Sequence, residues 1–273
     1  MADQGTIFGA SGRTDDEATL ADLEVDYTPV GAALQLVMAL RQSMRPSTAI
    51  RRALCPAAGS GVFVRALRAL DSSITVDAND ARQSEYDNLV NAVSGSGGDA
   101  SFGDFERWIV HPPKGRKYDL VIDNPPFKWF KTGIWEAIFG SGMVRKRGLV
   151  AFLGLSQWGQ SEEAWPMMCR RSPILQIRLG GRLAFRPAGE TSMRPIPKDR
   201  RVQGGPTHEP KKNGTDQREY SLWVWSESDE GRIGWHTVQL PTLPAELRSW
   251  SSAAVPGTYP IDKALVERVR SFL

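Results

Sequence analysis

Leu120-Val121-Ile122-Asp123-Asn124-Pro125-Pro126-Phe127 is an apolar run that stops at a polar corner stiffened by two prolines. The run favours a strand over Leu120–Ile122, and the prolines cannot continue its ladder. Each proline also forces the residue before it away from helical geometry. The carbonyls of Asn124 and Pro125 are therefore expected to stay free and point into a cleft, beside the Asn124 side-chain oxygen and the ring of Phe127. Such a corner suits an exocyclic amino group, because acceptors bind both N–H bonds while the aromatic face stacks on the base. Taken by itself the tetrapeptide also fits an Asx-Pro turn over a buried Phe. That reading weakens when the corner ends a strand downstream of a glycine-rich turn.

Working outward, short apolar segments alternate with helical or loop stretches: Ala49–Leu54, Ile74–Val76, Leu120–Ile122, Leu149–Leu153 and Ile174–Leu179. This alternation predicts βαβ units and a parallel sheet. Upstream, Val30–Leu40 has helical spacing, with Thr28 as the expected N-cap and Pro29 at the first helical position. Downstream, Tyr220–Trp225 and Ile233–Leu240 alternate around Asp229-Glu230-Gly231, which predicts a hairpin and an antiparallel edge. Residues 1–26 read as a leader or cap, 27–245 as the main domain and 246–273 as a helical tail.

The composition of the 273 residues, 41% hydrophobic and 24% charged, excludes collagen-like, coiled-coil and disordered classes. A formal charge of +3 is too small to argue by itself for a nucleic-acid partner. No apolar stretch approaches the ~18 residues of a membrane span, and the acidic first 26 residues lack the pattern of a secretory signal. The two cysteines, Cys55 and Cys169, fit a reducing cytoplasm. With three scattered histidines they give no zinc spacing, so no metal is expected. The charge is local: residues 186–219 hold eight Lys or Arg against five acids, with hardly any apolar residue. This basic insertion reads either as a phosphate-contacting loop, with Arg186, Arg200, Arg201, Lys211 and Lys212, or as an irregular solvated excursion.

Two further motifs join the proline corner. Ala57-Ala58-Gly59-Ser60-Gly61 lies between a candidate strand and a candidate helix, where glycines let backbone approach a ligand; a plain strand-to-helix turn explains it equally well. Asp77, after Ile74-Thr75-Val76, is placed to accept hydrogen bonds from ribose hydroxyls, whereas Asp80 reads better as a helix cap. Most of the nine tryptophans read as packing, and Trp129 is the one expected to line a substrate cleft.

In order along the chain, Tyr27-Thr28-Pro29, Pro56-Ala57-Ala58-Gly59-Ser60-Gly61, Asp77, Gly103-Asp104-Phe105 and Asn124-Pro125-Pro126-Phe127 resemble the motifs of S-adenosylmethionine-dependent amino-methyltransferases. The likeness is strongest to the small phage-type DNA N6-adenine methyltransferases. Arg182-Leu183-Ala184-Phe185, Asn213-Gly214-Thr215-Asp216 and Tyr220–Trp225 resemble the end of those enzymes. The resemblance implies a Rossmann-like class I methyltransferase fold, a mainly parallel doubly wound α/β sheet with an antiparallel C-terminal edge strand. It also implies that Thr28, Pro56, Ala57, Gly59 and Gly61 line the methionine half of the cofactor and that Asp77 holds its ribose. Asp104 would accept from its adenine amino group, unless Asp104 is only a surface turn. Asn124, Pro125, Pro126 and Phe127 would hold a target adenine flipped out of double-stranded DNA. Cys55 stands where the family often carries an acid facing the cofactor's ammonium group, and Asp123 is the expected substitute. The same corner also serves RNA and protein-glutamine methylation, and a catalytically silent binding module keeping the fold is the rival of another class.

Overall fold

The computed structural model describes residues 26–44, 49–110, 112, 115–162, 164–183, 186–187, 193–195, 208–210, 218–228, 234–248 and 261–273. β1 (Asp26–Tyr27) leads into α1 (Val30–Ser43). Then come β2 (Arg52–Cys55), α2 (Val62–Leu70), β3 (Thr75–Asp80), α3 (Tyr86–Val93), β4 (Ala100–Phe102), α4 (Phe105–Val110) and β5 (Tyr118–Asp123). They are followed by α5 (Lys128–Thr132), α6 (Ile134–Gly140), β6 (Val144–Leu155), α7 (Trp165–Arg170) and β7 (Leu175–Gly180). The last part holds β8 (Arg186–Pro187), β9 (Met193–Pro195), β10 (His208–Pro210), β11 (Tyr220–Ser226), β12 (His236–Thr242), α8 (Ala245–Arg248) and α9 (Lys263–Arg270).

Eight strands form one sheet in the order β12-β7-β11-β6-β5-β2-β3-β4. The strands from β4 through β6 are parallel, and β11 alone runs antiparallel, between β6 and β7. This is a mainly parallel, Rossmann-like α/β sheet. Alternate residues along its strands enter two cores, as a sheet covered on both faces requires. Cys55, Ile122 and Ala151 face the core against α1, α2 and α3, while Leu54, Val121 and Phe152 face an aromatic core. In the aromatic core the rings of Trp135 and Trp225 stack with centroids 4.3 Å apart.

The hairpin expected around residues 229–231 is corrected. β11 and β12 do not pair; β7 lies between them, parallel to β12 and antiparallel to β11. All seven residues of β11 are buried, which suits a strand with neighbours on both sides rather than an edge. The strands also outrun their apolar cores: β3 continues past Val76 to Asp80 and β5 reaches Asp123. α1 starts at Val30 with Pro29 at its cap, so Thr28 is not the N-cap, and no side chain caps that end. Val30 to Leu40 are buried throughout, because α1 is packed by α2, α8, α9 and β7 together. The expected tail helix is α9, whose N-terminus Asp262 caps by accepting from the Leu265 N–H at 2.7 Å.

Of the expected leader, residues 1–25 lie outside the described residues. So do Arg200, Arg201, Lys211 and Lys212 of the basic insertion; Arg186 pairs with Tyr27 through the backbone of β8 and β1. Among the described residues no helix is long and apolar enough to cross a membrane.

Candidate functional site

In open α/β sheets a ligand cleft forms outside the carboxyl ends of the strands, where connections leave in opposite directions. β2 is flanked by β3 on one side and β5 on the other, and there the structure has a cavity of about 710 Å³, including its part open to solvent. Four successive strand ends wall it. Pro56, Ala57 and Gly59 follow β2, Asn79 and Asp80 end β3 with Ala81 and Arg82 after it, Gly103 to Phe105 follow β4, and Asn124, Pro126, Lys128 and Trp129 follow β5. Tyr27 closes one side.

The glycine-rich loop can take this path because Gly59 and Gly61 adopt φ of +53° and +80°, a region that side chains disfavour. At Gly61 a Cβ would also sit 2.8 Å from the Ala92 Cβ. Asn79 holds the loop from outside through its backbone and its side chain. The Ala58 N–H donates to the Asn79 carbonyl at 2.8 Å, and the Asn79 amide donates to the carbonyls of Pro56 and Gly103 at 3.2 and 3.0 Å. One buried amide thus ties the loop after β2 to the loop after β4.

Of the two acids on β3, Asp80 lines the cavity and Asp77 does not. Asp80 accepts from the Gly59 N–H at 2.7 Å and, on its other oxygen, from the Arg82 N–H and Nε at 2.9 Å each. It does not cap the helical turn that follows, whose cap residue is Arg82 with no side-chain bond. Arg82 is buried between Asp80 and Glu85 and lies 5.6 Å over the Tyr27 ring, and these acids hold its guanidinium charged. The Tyr27 hydroxyl donates to Glu85, and burial pushes its pKa up to about 12.

Asp77 lies mid-strand and does not line the cavity. It receives Arg52 Nε and Nη2 at 2.9 and 3.0 Å, the Tyr118 hydroxyl at 2.8 Å and the Asp99 N–H at 2.9 Å. The sequence reading placed it at the strand end because the apolar run stops at Val76.

Asp104 sits at the rim, where its side chain accepts from the Glu106 N–H at 3.0 Å at the start of α4. Of the proline corner, Asn124 and Pro126 line the cavity, while Pro125 is buried beside it and its carbonyl accepts no hydrogen bond from a described residue. Phe127 is half-buried outside the lining, its ring stacked on Tyr220 at 6.5 Å. Trp129 lines the cavity; its Nε1 donates to Glu106 at 3.1 Å and its ring packs against Phe105 and Phe152. Lys128 pairs with the same Glu106 oxygen at 2.7 Å on the exposed rim.

Asp123 lies behind the cavity rather than in it. Its carboxylate accepts from the Ala57 N–H at 2.8 Å and the Asn124 N–H at 2.9 Å. Burial pushes its pKa up to about 7 against those two bonds, with the charge of Asp80 adding to the rise. Cys55 is buried and its thiol is pushed well above the ordinary range, first by burial and then by Asp123. Thr28 is buried beside Tyr27, and neither it nor Gly61 lines the cavity. Among the described residues no group of three or more His, Cys, Asp or Glu could hold a metal.

The sequence reading gave no role to Asn79, Arg82 or Lys128 in the wall and assigned Asp80 elsewhere. Only Lys128 carried a usable signal, its adjacency to Phe127; the others are placed by long-range pairing.

No family model matches the sequence, and no curated protein matches it. Among solved structures the chain is similar to a protein of Agrobacterium tumefaciens described as a predicted O-methyltransferase, at 12% identity over 79% of this chain and 86% of that one, with a TM-score of 0.45. It is also similar to the type I restriction-modification system methyltransferase subunit from Streptococcus thermophilus, at 10% identity over 90% of this chain and 52% of that one, with a TM-score of 0.48.

Proposed function

We propose that the protein is an S-adenosylmethionine-dependent methyltransferase acting on the N6 amino group of adenine in double-stranded DNA, with the base extruded from the stack. One observation carries this reading: one cavity is lined by Gly59 of the left-handed glycine loop, by the strand-end carboxylate Asp80, and by Asn124 and Pro126 of the proline corner. The residues present fit the cofactor. Gly59 allows close backbone approach, Asp80 supplies acceptors for ribose hydroxyls in place of Asp77, and Asp104 is at the rim where an adenine amino group would need an acceptor. When bound, the cofactor supplies an electrophilic methyl group on a sulfonium centre.

The chain's own part is positioning and electrostatics. The Asn124 side-chain oxygen and the Pro125 carbonyl accept the two N–H bonds of the amino group and steady positive charge as it builds on nitrogen. Phe127 lies outside the cavity lining, stacked on Tyr220, so the aromatic face available to the base in the cavity is that of Trp129. Trp129 and Phe105 exclude water from the same corner. No nucleophilic side chain is required. The basic insertion, with Arg186, Arg200, Arg201, Lys211 and Lys212, is assigned to the DNA backbone, a role that rests on its charge alone.

Labelled-methyl transfer to DNA, RNA and protein in parallel, followed by nucleoside mass spectrometry, tests the reading. N6-methyladenine in DNA is the expected product, and label in protein alone would overturn it. A second reading, a silent binding module, is favoured by one contact: Arg82 already occupies acceptor positions on Asp80 that a ribose would use. The absence of any melting-temperature rise at millimolar S-adenosylmethionine would select it.

A further inference from the structure

Asp123 is 2% exposed, and its two carboxylate oxygens serve two different halves of the site. One accepts from Ala57 in the glycine-rich loop at 2.8 Å, the other from Asn124 in the proline corner at 2.9 Å. The first segment is on the cofactor side and the second on the amino-group side, so a single buried group spans both. We propose that Asp123 is a positioning residue that couples the cofactor loop to the amino-group corner, and that cofactor binding drives a proton off its carboxyl group into solvent. The proposal rests on the function given above and adds an order to it, since cofactor binding completes the corner that receives the base.

The physical argument runs through the two N–H donors. An ionised carboxylate accepts both of them. A protonated one presents an O–H on one oxygen, which cannot accept there without turning its hydrogen elsewhere, so one of the two segments loses its tie. Burial favours the protonated form, and the facing charged group, Asp80 at the end of β3, favours it too. The other neighbours are the Cys55 thiol on β2, held neutral by burial, and the uncharged Phe152 paired with Asp123 on β6. A sulfonium and an ammonium group arriving across the Ala57 backbone favour the ionised form. With the pKa raised to about 7, the group is poised to respond near neutral pH.

Titration calorimetry of the full chain with S-adenosylmethionine, in buffers of different ionisation enthalpy, reads the proton directly. At pH 7 about half a proton should leave per cofactor bound, and the release should vanish near pH 9. Affinity should rise with pH through 7. The melting temperature of the ligand-free chain should move the opposite way, because the ionised form is the one that burial disfavours and the unfolded chain binds fewer protons over that interval. A merely structural carboxylate would shift the melting temperature without any proton release on binding. Asp123→Asn, which keeps one acceptor, should release no proton and bind the cofactor about tenfold more weakly. The wild-type measurement stands even if that variant does not fold. Cofactor binding without buffer-dependent heat overturns the coupling alone. A chain that binds no cofactor overturns the function on which the coupling rests, and the coupling with it.

Discussion

Asp77 and Asp80 lie three residues apart on β3, both almost fully buried, yet they belong to different parts of the molecule. Asp77 is spent on holding strands together: Arg52 of β2, Tyr118 of β5 and the backbone before β4 all converge on it. Asp80 reaches past the sheet to the glycine loop and to Arg82, at the edge of the cavity. The difference teaches that the end of a strand, rather than the end of its apolar run, decides which acid meets a ligand. A polar residue can stay inside a strand when distant partners satisfy it.

The largest effect expected from this contrast is on stability. Asp77→Ala leaves Arg52 and Tyr118 without their acceptor and should cost about 3–5 kcal/mol in denaturant unfolding, with cofactor affinity per folded molecule unchanged. If affinity falls instead while stability holds, the assignment of the two acids is reversed. Next comes Asn124→Ala on the opposite wall, which should lower the methyl-transfer rate about 100-fold or more. That variant should keep the melting-temperature rise given by the cofactor, so loss of both would move Asn124 to the cofactor side. Asp80→Asn should weaken cofactor binding by about 1.5–3 kcal/mol, the scale of a hydrogen bond to a charged group, and equilibrium dialysis would measure it. The smallest effect belongs to Lys128→Ala. Its ion pair with Glu106 is exposed and worth at most about 1 kcal/mol to folding, so stability should barely move. DNA affinity should nonetheless fall modestly and lose part of its salt dependence if the rim meets phosphate.

The same pair of acids shows what the sequence could and could not tell. The proline corner was legible because its geometry is local: two prolines and the residues before them restrict the chain wherever it lies. The glycine loop was legible for a similar reason, since Gly59 and Gly61 mark left-handed backbone. Asp80 was not legible. Its environment comes from Gly59, twenty-one residues earlier, and from an arginine whose own burial depends on Glu85 and Tyr27. Strand order had the same limit. β11 and β12 are close in sequence and alternate in polarity, but the long-range pairing of both with β7 places a third strand between them. Asp123 was found for a reason the structure replaces: it was expected to face an ammonium group, and it instead grips the backbone from behind.

The Asn79 amide, bonded to Pro56 on one loop and Gly103 on the other, sets a rule for anyone reshaping this cleft to take a bulkier donor molecule. Room has to come from trimming side chains such as Tyr27, because lengthening either loop would pull a carbonyl off that bracket and open the floor along with the walls.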